Sequence, residues 1–181
     1  MLIILDRDGV INVDSHQYIK TPDEWIAIPG SLEAIAKLNR AGFRVVVASN
    51  QSGLARGLYT VDLLNQIHEK FHRELAAVGG HVEEIFYCPH HPDEKCECRK
   101  PEAGLFYQIQ KKYNINLTET FFIGDRLSDV QVAKKVGCIP ILVLTGNGQK
   151  TLEQNPLLSE ILHFPDLARA TEYLLKNTSS P

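Results

Sequence analysis

The chain has few cysteines, no long hydrophobic run and no excess of basic residues. Its 181 residues include only 4 Cys, 1 Met and 1 Trp. No apolar stretch approaches the ~18 residues of a membrane-spanning helix, so we expect no membrane partner. The formal net charge of −3 argues against a nucleic-acid partner, because such binding rests on phosphate neutralisation. No basic segment followed by a cleavable apolar stretch opens the chain, so we expect a cytoplasmic protein.

The residues that are present have the composition of an ordinary globular protein, with 44% hydrophobic and 23% charged residues. The length suits one compact domain, which we place at 1–176, followed by a flexible polar tail at 177–181. We expect a monomer. Five short apolar runs alternate with amphipathic segments, at 2–5, 43–48, 82–87, 120–123 and 139–144. This alternation predicts a three-layer α/β fold with a parallel sheet.

The predicted helices carry recognisable start signals. Ser31 is a candidate N-cap for a helix over 32–41, and Thr60 for a helix to about Val78. Pro101 suits the first turn of a helix that runs to about residue 113. His68 lies in the second of these helices, and we interpret it as a surface or core-edge histidine because no acid or third ligand accompanies it.

Two aspartates follow the first predicted strand. Leu2–Leu5 is a continuous apolar run, typical of a buried parallel strand, and Asp6, Asp8 and Gly9 come directly after it. Ligands of open α/β sheets bind at the carboxyl ends of the strands. Two carboxylates so close together repel each other, and a bound Mg²⁺ would remove that repulsion. The alternative interpretation is a strand end with two solvated acids.

Polar clusters also follow the later strands. They are Ser49 with Asn50, Arg99 with Lys100, Asp125 with Asp129, and the segment 145–148. Since parallel strands end at one edge of a sheet, we expect these clusters to converge with Asp6 and Asp8. Together they offer a nucleophile, an acid/base, a hydroxyl, a cation and acids for Mg²⁺, the inventory of phosphoryl transfer through an aspartyl phosphate.

Three of the four cysteines lie within the segment from Cys88 to Cys98. Three thiols and two imidazoles so close together match the ligand set of a closed structural zinc site. Such a site is tetrahedral, so one histidine is spare. The spacing favours Cys88, His90, Cys96 and Cys98, with His91 as the alternative histidine. A reduced loop without metal is the other interpretation.

The chain resembles the haloacid dehalogenase (HAD) superfamily, in order and over most of its length. The residues that carry the resemblance are Asp6-Arg7-Asp8-Gly9, Ser49, Lys100 and the segment 124–129. Within the superfamily, the segments 49–57 and 88–101 are similar to the D-glycero-D-manno-heptose-1,7-bisphosphate 7-phosphatases. The histidinol-phosphate phosphatases share the zinc loop and are the alternative. Val10 departs from the threonine that is frequent in the superfamily, and Arg126 from the lysine of some heptose phosphatases.

The resemblance implies a Mg²⁺-dependent phosphatase that removes the 7-phosphate of heptose 1,7-bisphosphate through an aspartyl phosphate. This reaction would serve nucleotide-activated heptose biosynthesis, for a lipopolysaccharide core or a surface glycan. Asp6 would be the nucleophile and Asp8 the acid/base. Mg²⁺ would be held by Asp6, the Asp8 carbonyl and Asp125, while Ser49 and Lys100 would bind the transferring phosphoryl group.

A further set of residues would contact the substrate: Asp14, Ser15, His16, Gln17, Asn50, Gln51, Ser52, Arg56, Arg99 and Arg126. Many HAD proteins carry a cap domain, but the segments 9–48 and 89–97 are too short for one. We therefore expect loops to provide selectivity. A non-catalytic phosphoacceptor or a zinc-stabilised binding module is a third class, which a phosphatase assay with Mg²⁺ would separate from the other two.

Overall fold

A six-stranded parallel sheet forms the middle layer of the computed structural model, which describes residues 1–178. The strands are β1 (Leu2–Leu5), β2 (Arg44–Asn50), β3 (Glu84–Cys88), β4 (Phe121–Gly124), β5 (Ile139–Val143) and β6 (Leu162–Phe164). Their order is β3-β2-β1-β4-β5-β6, and each neighbouring pair is parallel. The predicted α/β fold is confirmed.

Helices cover both faces of the sheet. They are α1 (Ser31–Arg40), α2 (Val61–Ala77), α3 (Gly104–Tyr113), α4 (Leu127–Val136), α5 (Gly148–Gln154) and α6 (Leu167–Asn177). Successive side chains of a strand point to opposite faces. Ile3 and Leu5 therefore pack with α1, α2 and α6, whereas Leu2 and Ile4 pack with α3 and α4. Burial on both faces explains why the central strands are continuous apolar runs.

Several predicted boundaries were wrong. The strand β6 was missed, since only three residues form it and His163 at its centre is exposed. Helix α3 begins at Gly104 rather than Pro101, because a turn precedes it in which the Glu102 amide donates to the Arg99 carbonyl at 2.7 Å. Ser31 is not an N-cap. Its hydroxyl donates to the Ile11 carbonyl at 2.6 Å, which ties α1 to the loop after β1.

The connections are short where a cap domain would be inserted. A loop with one 3₁₀ turn at Pro22–Glu24 and then α1 join β1 to β2, and within residues 1–178 we find no cap domain. Helix α6 includes Asn177, and the Thr178 amide donates to the Leu174 carbonyl at 2.9 Å. The rest of the predicted tail, 179–181, lies outside the described residues. None of the helices in 1–178 combines the length and apolar character needed to cross a lipid bilayer.

Candidate active site

A cleft of about 360 Å³ opens at the carboxyl ends of the central strands. The strand order reverses between β1 and β4, and such switch points are where ligands bind in open α/β sheets. Most of the predicted site residues line the cleft: Asp6, Asp8, Asp14, Ser15, His16, Ser49, Asn50, Gln51, Ser52, Arg99, Lys100 and Arg126. Gln17 and Arg56 are exposed and do not line it. The Arg56 guanidinium instead lies 6.0 Å from the centre of the Tyr18 ring.

Asp6 follows β1 with one carboxylate oxygen held and the other free. Its amide donates to the Ile123 carbonyl of β4 at 2.9 Å, which extends the parallel pairing. Its Oδ1 accepts from the Arg7 amide at 2.7 Å and lies 2.9 Å from Lys100 Nζ. Oδ2 makes no hydrogen bond within the described part of the chain. Burial raises the pKa of Asp6 to about 7, and the charges of Asp129 and Asp8 add to the rise while Lys100 opposes it.

Lys100 bridges two buried carboxylates. Its Nζ lies 2.9 Å from Asp6 Oδ1 and 2.8 Å from Asp129 Oδ1. Burial alone would lower the pKa of Lys100, but the two carboxylates outweigh burial and raise it, so the ammonium stays charged. Asn50 fixes the backbone of Lys100, because its amide accepts from the Lys100 N–H at 3.0 Å and donates to the Lys100 carbonyl at 3.1 Å. Asn50 therefore orients the lysine as well as lining the cleft.

Asp125 forms an acidic cluster with Asp6 and Asp129. Carboxylate oxygens of Asp6, Asp125 and Asp129 lie within 4.8 Å of one another. The Asp125 Oδ2 accepts from the Asn147 amide at 2.7 Å, and a Cβ on Gly9 would lie only 2.2 Å from that oxygen. Glycine at position 9 is thus required by close approach, and its φ of +84° also favours glycine.

The other Asp125 oxygen has no such partner. Oδ1 is buried and accepts no hydrogen bond from any group in residues 1–178, the nearest cation being Arg126 Nε at 3.9 Å. Burial raises the pKa of Asp125 to about 8, and the charges of Asp6 and Asp129 add to the rise. Three acids face one lysine here, and a buried oxygen without a donor is costly. Hard carboxylate oxygens in this arrangement fit Mg²⁺.

Asp8 lies on the other side of Asp6, surrounded by donors. Its carboxylate accepts from Arg7 Nη2 at 2.9 and 3.0 Å, from Asn12 at 2.9 Å and from Gln51 at 2.9 Å. Burial raises the pKa of Asp8, but the Arg7 charge and these hydrogen bonds outweigh burial, and the net result is a lowered pKa. Gln51 also donates to the Ser49 hydroxyl at 2.9 Å, so the Asp8 and Ser49 side chains are fixed relative to each other.

The loop after β1 closes over the cleft through one acidic side chain. Asp14 Oδ2 accepts from Arg126 Nη2 and from the Asn147 amide side chain, both at 2.7 Å.

Arg99 and Arg126 both line the cleft, and their surroundings differ. Arg126 is paired with Asp14, whereas the buried Nη1 of Arg99 has no hydrogen-bond partner among residues 1–178. The guanidinium of Arg99 can therefore donate further hydrogen bonds.

The cysteine-rich loop brings four side chains together. The closest approaches are 3.2 Å between His90 Nδ1 and Cys98 Sγ and 3.5 Å from Cys88 Sγ to both His90 Nδ1 and Cys96 Sγ. Cys98 Sγ lies 3.6 Å from Cys96 Sγ. These spacings suit the edges of a tetrahedron around Zn²⁺ with sulfur ligands at ~2.3 Å. The structure brings in His90 rather than its neighbour His91, whose Nδ1 instead accepts from the Asp93 amide at 3.3 Å.

Some cleft residues were missed by sequence reasoning. Arg7, Tyr18, Ile19, Tyr59, Ser128 and Asp129 also line the cleft. The sequence had placed Asp129 with Asp125 in one polar cluster. Its Oδ2 does accept from the Asp125 and Arg126 amides, at 3.2 and 3.0 Å, while Oδ1 faces Lys100. For Tyr59, whose hydroxyl donates to Gln51 Oε1 at 2.7 Å, no sequence pattern gave a signal.

The sequence and the fold are both similar to those of known phosphatases. A HAD-hydrolase-like family model matches residues 97–170. The chain is 54% identical to a D-glycero-beta-D-manno-heptose-1,7-bisphosphate 7-phosphatase of Bordetella bronchiseptica, covering 97% of this chain and 98% of that protein. A phosphatase of the same name from Pseudomonas aeruginosa is 50% identical, with coverage of 97% and 98%. The crystal structure of the D,D-heptose 1,7-bisphosphate phosphatase from B. bronchiseptica, complexed with magnesium and phosphate, has a TM-score of 0.95 at 53% identity and covers 98% of this chain and 99% of that one.

Proposed function

Because the chain belongs to the family of D-glycero-beta-D-manno-heptose-1,7-bisphosphate 7-phosphatases, we propose that it hydrolyses the 7-phosphate of this bisphosphate through an aspartyl-phosphate intermediate. The observation that carries the proposal is the carboxylate of Asp6. One of its oxygens is fixed by Lys100 and the Arg7 amide, while the other is free over the cleft. A nucleophile held in this way is already oriented when a phosphate monoester enters.

The proposed reaction has two steps. In the first, the free Asp6 oxygen attacks phosphorus and the bond to the sugar oxygen breaks. Asp8, whose lowered pKa leaves it ionised in the free enzyme, takes up a proton when the negatively charged ester enters and gives that proton to the sugar oxygen. In the second, water attacks the phosphorus of the aspartyl phosphate, Asp8 takes the proton of the water, and Asp6 is released with inorganic phosphate. Ser49 and Lys100 would bind the oxygens of the transferring group, since charge is spread over these oxygens in the transition state.

The acidic cluster supports the metal part of the proposal. Asp6, Asp125 and the backbone carbonyl of Asp8 would hold Mg²⁺, for which the unpartnered Oδ1 of Asp125 is the clearest sign. When bound, Mg²⁺ neutralises charge on the nucleophile and the phosphate. Cys88, His90, Cys96 and Cys98 would hold a structural Zn²⁺. Four protein ligands leave no position open for water at that site.

The choice of a bisphosphate rests on Arg99. Arg99 lines the cleft, its guanidinium makes no hydrogen bond or ion pair within 1–178, and it directly precedes Lys100, which contacts Asp6. A second phosphate would provide the missing acceptor, and charge-assisted contacts of arginine to phosphate fix orientation as well as adding affinity. Histidinol phosphate carries an amine in place of the second phosphate, so it would leave Arg99 unpaired. The remaining predicted contacts, Asp14 to His16 and Asn50 to Ser52, would surround the sugar.

The test is a comparison of kcat/KM over five substrates with Mg²⁺ present: the β and α anomers of D-glycero-D-manno-heptose 1,7-bisphosphate, the 7-phosphate, the 1-phosphate and histidinol phosphate. We expect the β-bisphosphate to give the highest value and the 1-phosphate to be the sugar product. A higher kcat/KM for histidinol phosphate would contradict the proposal. Formation of the heptose 7-phosphate, through loss of the phosphate group at position 1, would contradict the assigned position of attack.

We also propose that residues 1–177 form one domain that acts as a monomer in the cytoplasm. The four cysteines form no disulfide. Clustered thiols suit a reducing compartment. Light scattering of the purified protein tests the monomer, and fractionation of the producing cells tests the location.

A further inference from the structure

Asp8 contacts a buried polar pair of side chains that the proposed reaction does not use. It consists of Arg7 and His68, which are 1% and 9% exposed. Arginine is rarely so fully buried unless its donors are satisfied. Helix α2, which provides His68, has otherwise an apolar buried face made of Leu64, Ile67, Phe71 and Leu75. A histidine and an arginine in this core need an explanation.

The Nε and Nη2 atoms of the Arg7 guanidinium contact both oxygens of the Asp8 carboxylate. Nε donates to Asp8 Oδ1 at 3.2 Å, and Nη2 donates to Oδ1 at 2.9 Å and to Oδ2 at 3.0 Å. Because a guanidinium is planar, its orientation sets the plane in which the carboxylate can lie. Gln51, with Tyr59 donating to its Oε1 at 2.7 Å, contacts Asp8 from another direction. The angle of the Asp8 carboxylate in the cleft therefore depends on where Arg7 is held.

His68 holds the far side of that guanidinium. Its Nε2 lies 3.3 Å from Arg7 Nη1, the nitrogen that does not reach Asp8. Arginine can only donate, so Nε2 must be the acceptor, and the ring is then neutral with its proton on Nδ1. Burial, with the Arg7 charge beside it, lowers the pKa of His68 to about 3, in agreement with a neutral ring. Of the two interpretations of His68, a surface or a core-edge histidine, the structure excludes the surface one.

We propose that His68 and Arg7 are positioning residues for Asp8: the neutral imidazole fixes the guanidinium, and the guanidinium fixes the carboxylate at the angle required for proton transfer to the leaving oxygen. The inference rests on the proposed function, because it needs Asp8 as the acid/base. A purely structural role of the pair would differ in one measurable respect. A structural role would lower kcat/KM on all phosphate monoesters alike. A misplaced acid lowers kcat/KM, which reports the step in which the ester bond breaks, only where the leaving group needs a proton.

The experiment compares kcat/KM on two esters, the heptose bisphosphate and 4-nitrophenyl phosphate, whose phenolate leaves without a proton. We expect His68→Leu to lower kcat/KM about tenfold on the sugar ester and less than about twofold on the aryl ester. His68→Gln offers an oxygen acceptor to Arg7 and should restore most of the loss. Arg7→Lys, which cannot contact both carboxylate oxygens in one plane, should show the same selective loss. His72→Leu changes the exposed histidine one turn further along α2 and should leave both values unchanged.

Each outcome is informative. Equal losses of kcat/KM on both esters in His68→Leu and Arg7→Lys, or no loss on either, would overturn the inference. If His68→Leu does not fold, the contrast between His68→Gln and Arg7→Lys decides in its place. Asp8→Asn provides the reference. If this variant loses both esters equally, the acid/base role of Asp8 in the proposed function fails, which is distinguishable from a failure of Arg7 and His68 to position it.

Discussion

Replacement of Asp125 by asparagine is expected to make the metal-free protein more stable and to abolish its response to Mg²⁺. In the structure Asp125 is fully buried, and two further carboxylates lie within 4.8 Å of it with one lysine between them. Asparagine keeps an oxygen for the Asn147 amide, which donates to Asp125 Oδ2 at 2.7 Å. Its NH₂ group would replace the unpartnered Oδ1 and donate toward the acids, so a repulsive contact becomes an attractive one.

The size of the effect follows from the pKa of Asp125, which is raised from 3.8 to about 8. A raised carboxyl pKa costs stability as the pH rises, by about 1.4 kcal/mol for each pH unit between the unfolded and folded values. At about pH 7.5 this sets a ceiling of about 5 kcal/mol. The cost is shared with Asp6, so we expect a gain of about 1–3 kcal/mol, which for a chain of this length is about 3–10 °C in Tm.

The assay is thermal unfolding in Mg²⁺-free buffer at about pH 6 and pH 8, repeated with excess MgCl₂. The Tm difference between Asp125→Asn and the parent should widen from the lower to the higher pH, because the parent loses stability over that interval. Mg²⁺ should raise the Tm of the parent only, and more at the higher pH, where protons compete less for Asp6 and Asp125. Asp62→Asn, at an exposed aspartate in α2, is the matched control. A variant that is less stable than its parent at both pH values would refute this account of the cluster.

Other substitutions test the remaining roles. Asp6→Asn should abolish turnover while thermal unfolding shows an intact fold, and turnover near the parent rate would remove Asp6 as the nucleophile. Asp8→Asn should lower kcat/KM for the heptose bisphosphate by about 10²–10⁴-fold; a smaller loss would assign the proton transfer elsewhere. Arg99→Ala should weaken transition-state binding of the bisphosphate by about 1–3 kcal/mol and of a monophosphate less, whereas equal losses would argue against a second phosphate at Arg99. Cys96→Ser should reduce the zinc content from about one ion per chain to near none and lower Tm, while Cys138→Ser should retain the zinc. A purified parent protein that contains no zinc would contradict the metal site.

Asp6, Ser49 and Asp125, which the sequence predicted as site residues, share one property, which is that each lies at or directly after the end of an apolar strand. Parallel strands end at one edge, so Asp6, Ser49 and Asp125 had to converge there once the strands were recognised. Zinc ligands within one short loop were predictable for a similar reason, because they are close in sequence. The bounds of helices and strands were less predictable. The start of α3 depends on a local turn, and β6 is too short to show the alternation of apolar and polar residues that is typical of a strand.

Contacts between distant residues could not be predicted in this way. His68 reaches Arg7 across 61 positions and Gln51 reaches Asp8 across 43. A histidine on an amphipathic helix gives the same pattern whether its ring meets solvent or a buried guanidinium, because periodicity reports the face and not the partner. The absence of a neighbouring acid in the sequence favoured a surface or core-edge histidine at position 68. In the structure the ring is buried, and the group that it contacts is a donor.

The charges around the cleft also imply that metal and phosphate support each other's binding. Without a cation, three buried acids oppose one lysine beside the free oxygen of Asp6, and an incoming phosphate would add more negative charge. A divalent cation would reverse that repulsion, and by linkage phosphate must then strengthen Mg²⁺ binding by the same factor. We therefore expect the Tm increase with phosphate and Mg²⁺ together to exceed the sum of the separate increases. In Asp125→Asn that excess should vanish, while any binding of phosphate to Arg99 persists. Additive shifts in the parent protein would mean that Lys100 already neutralises the cluster.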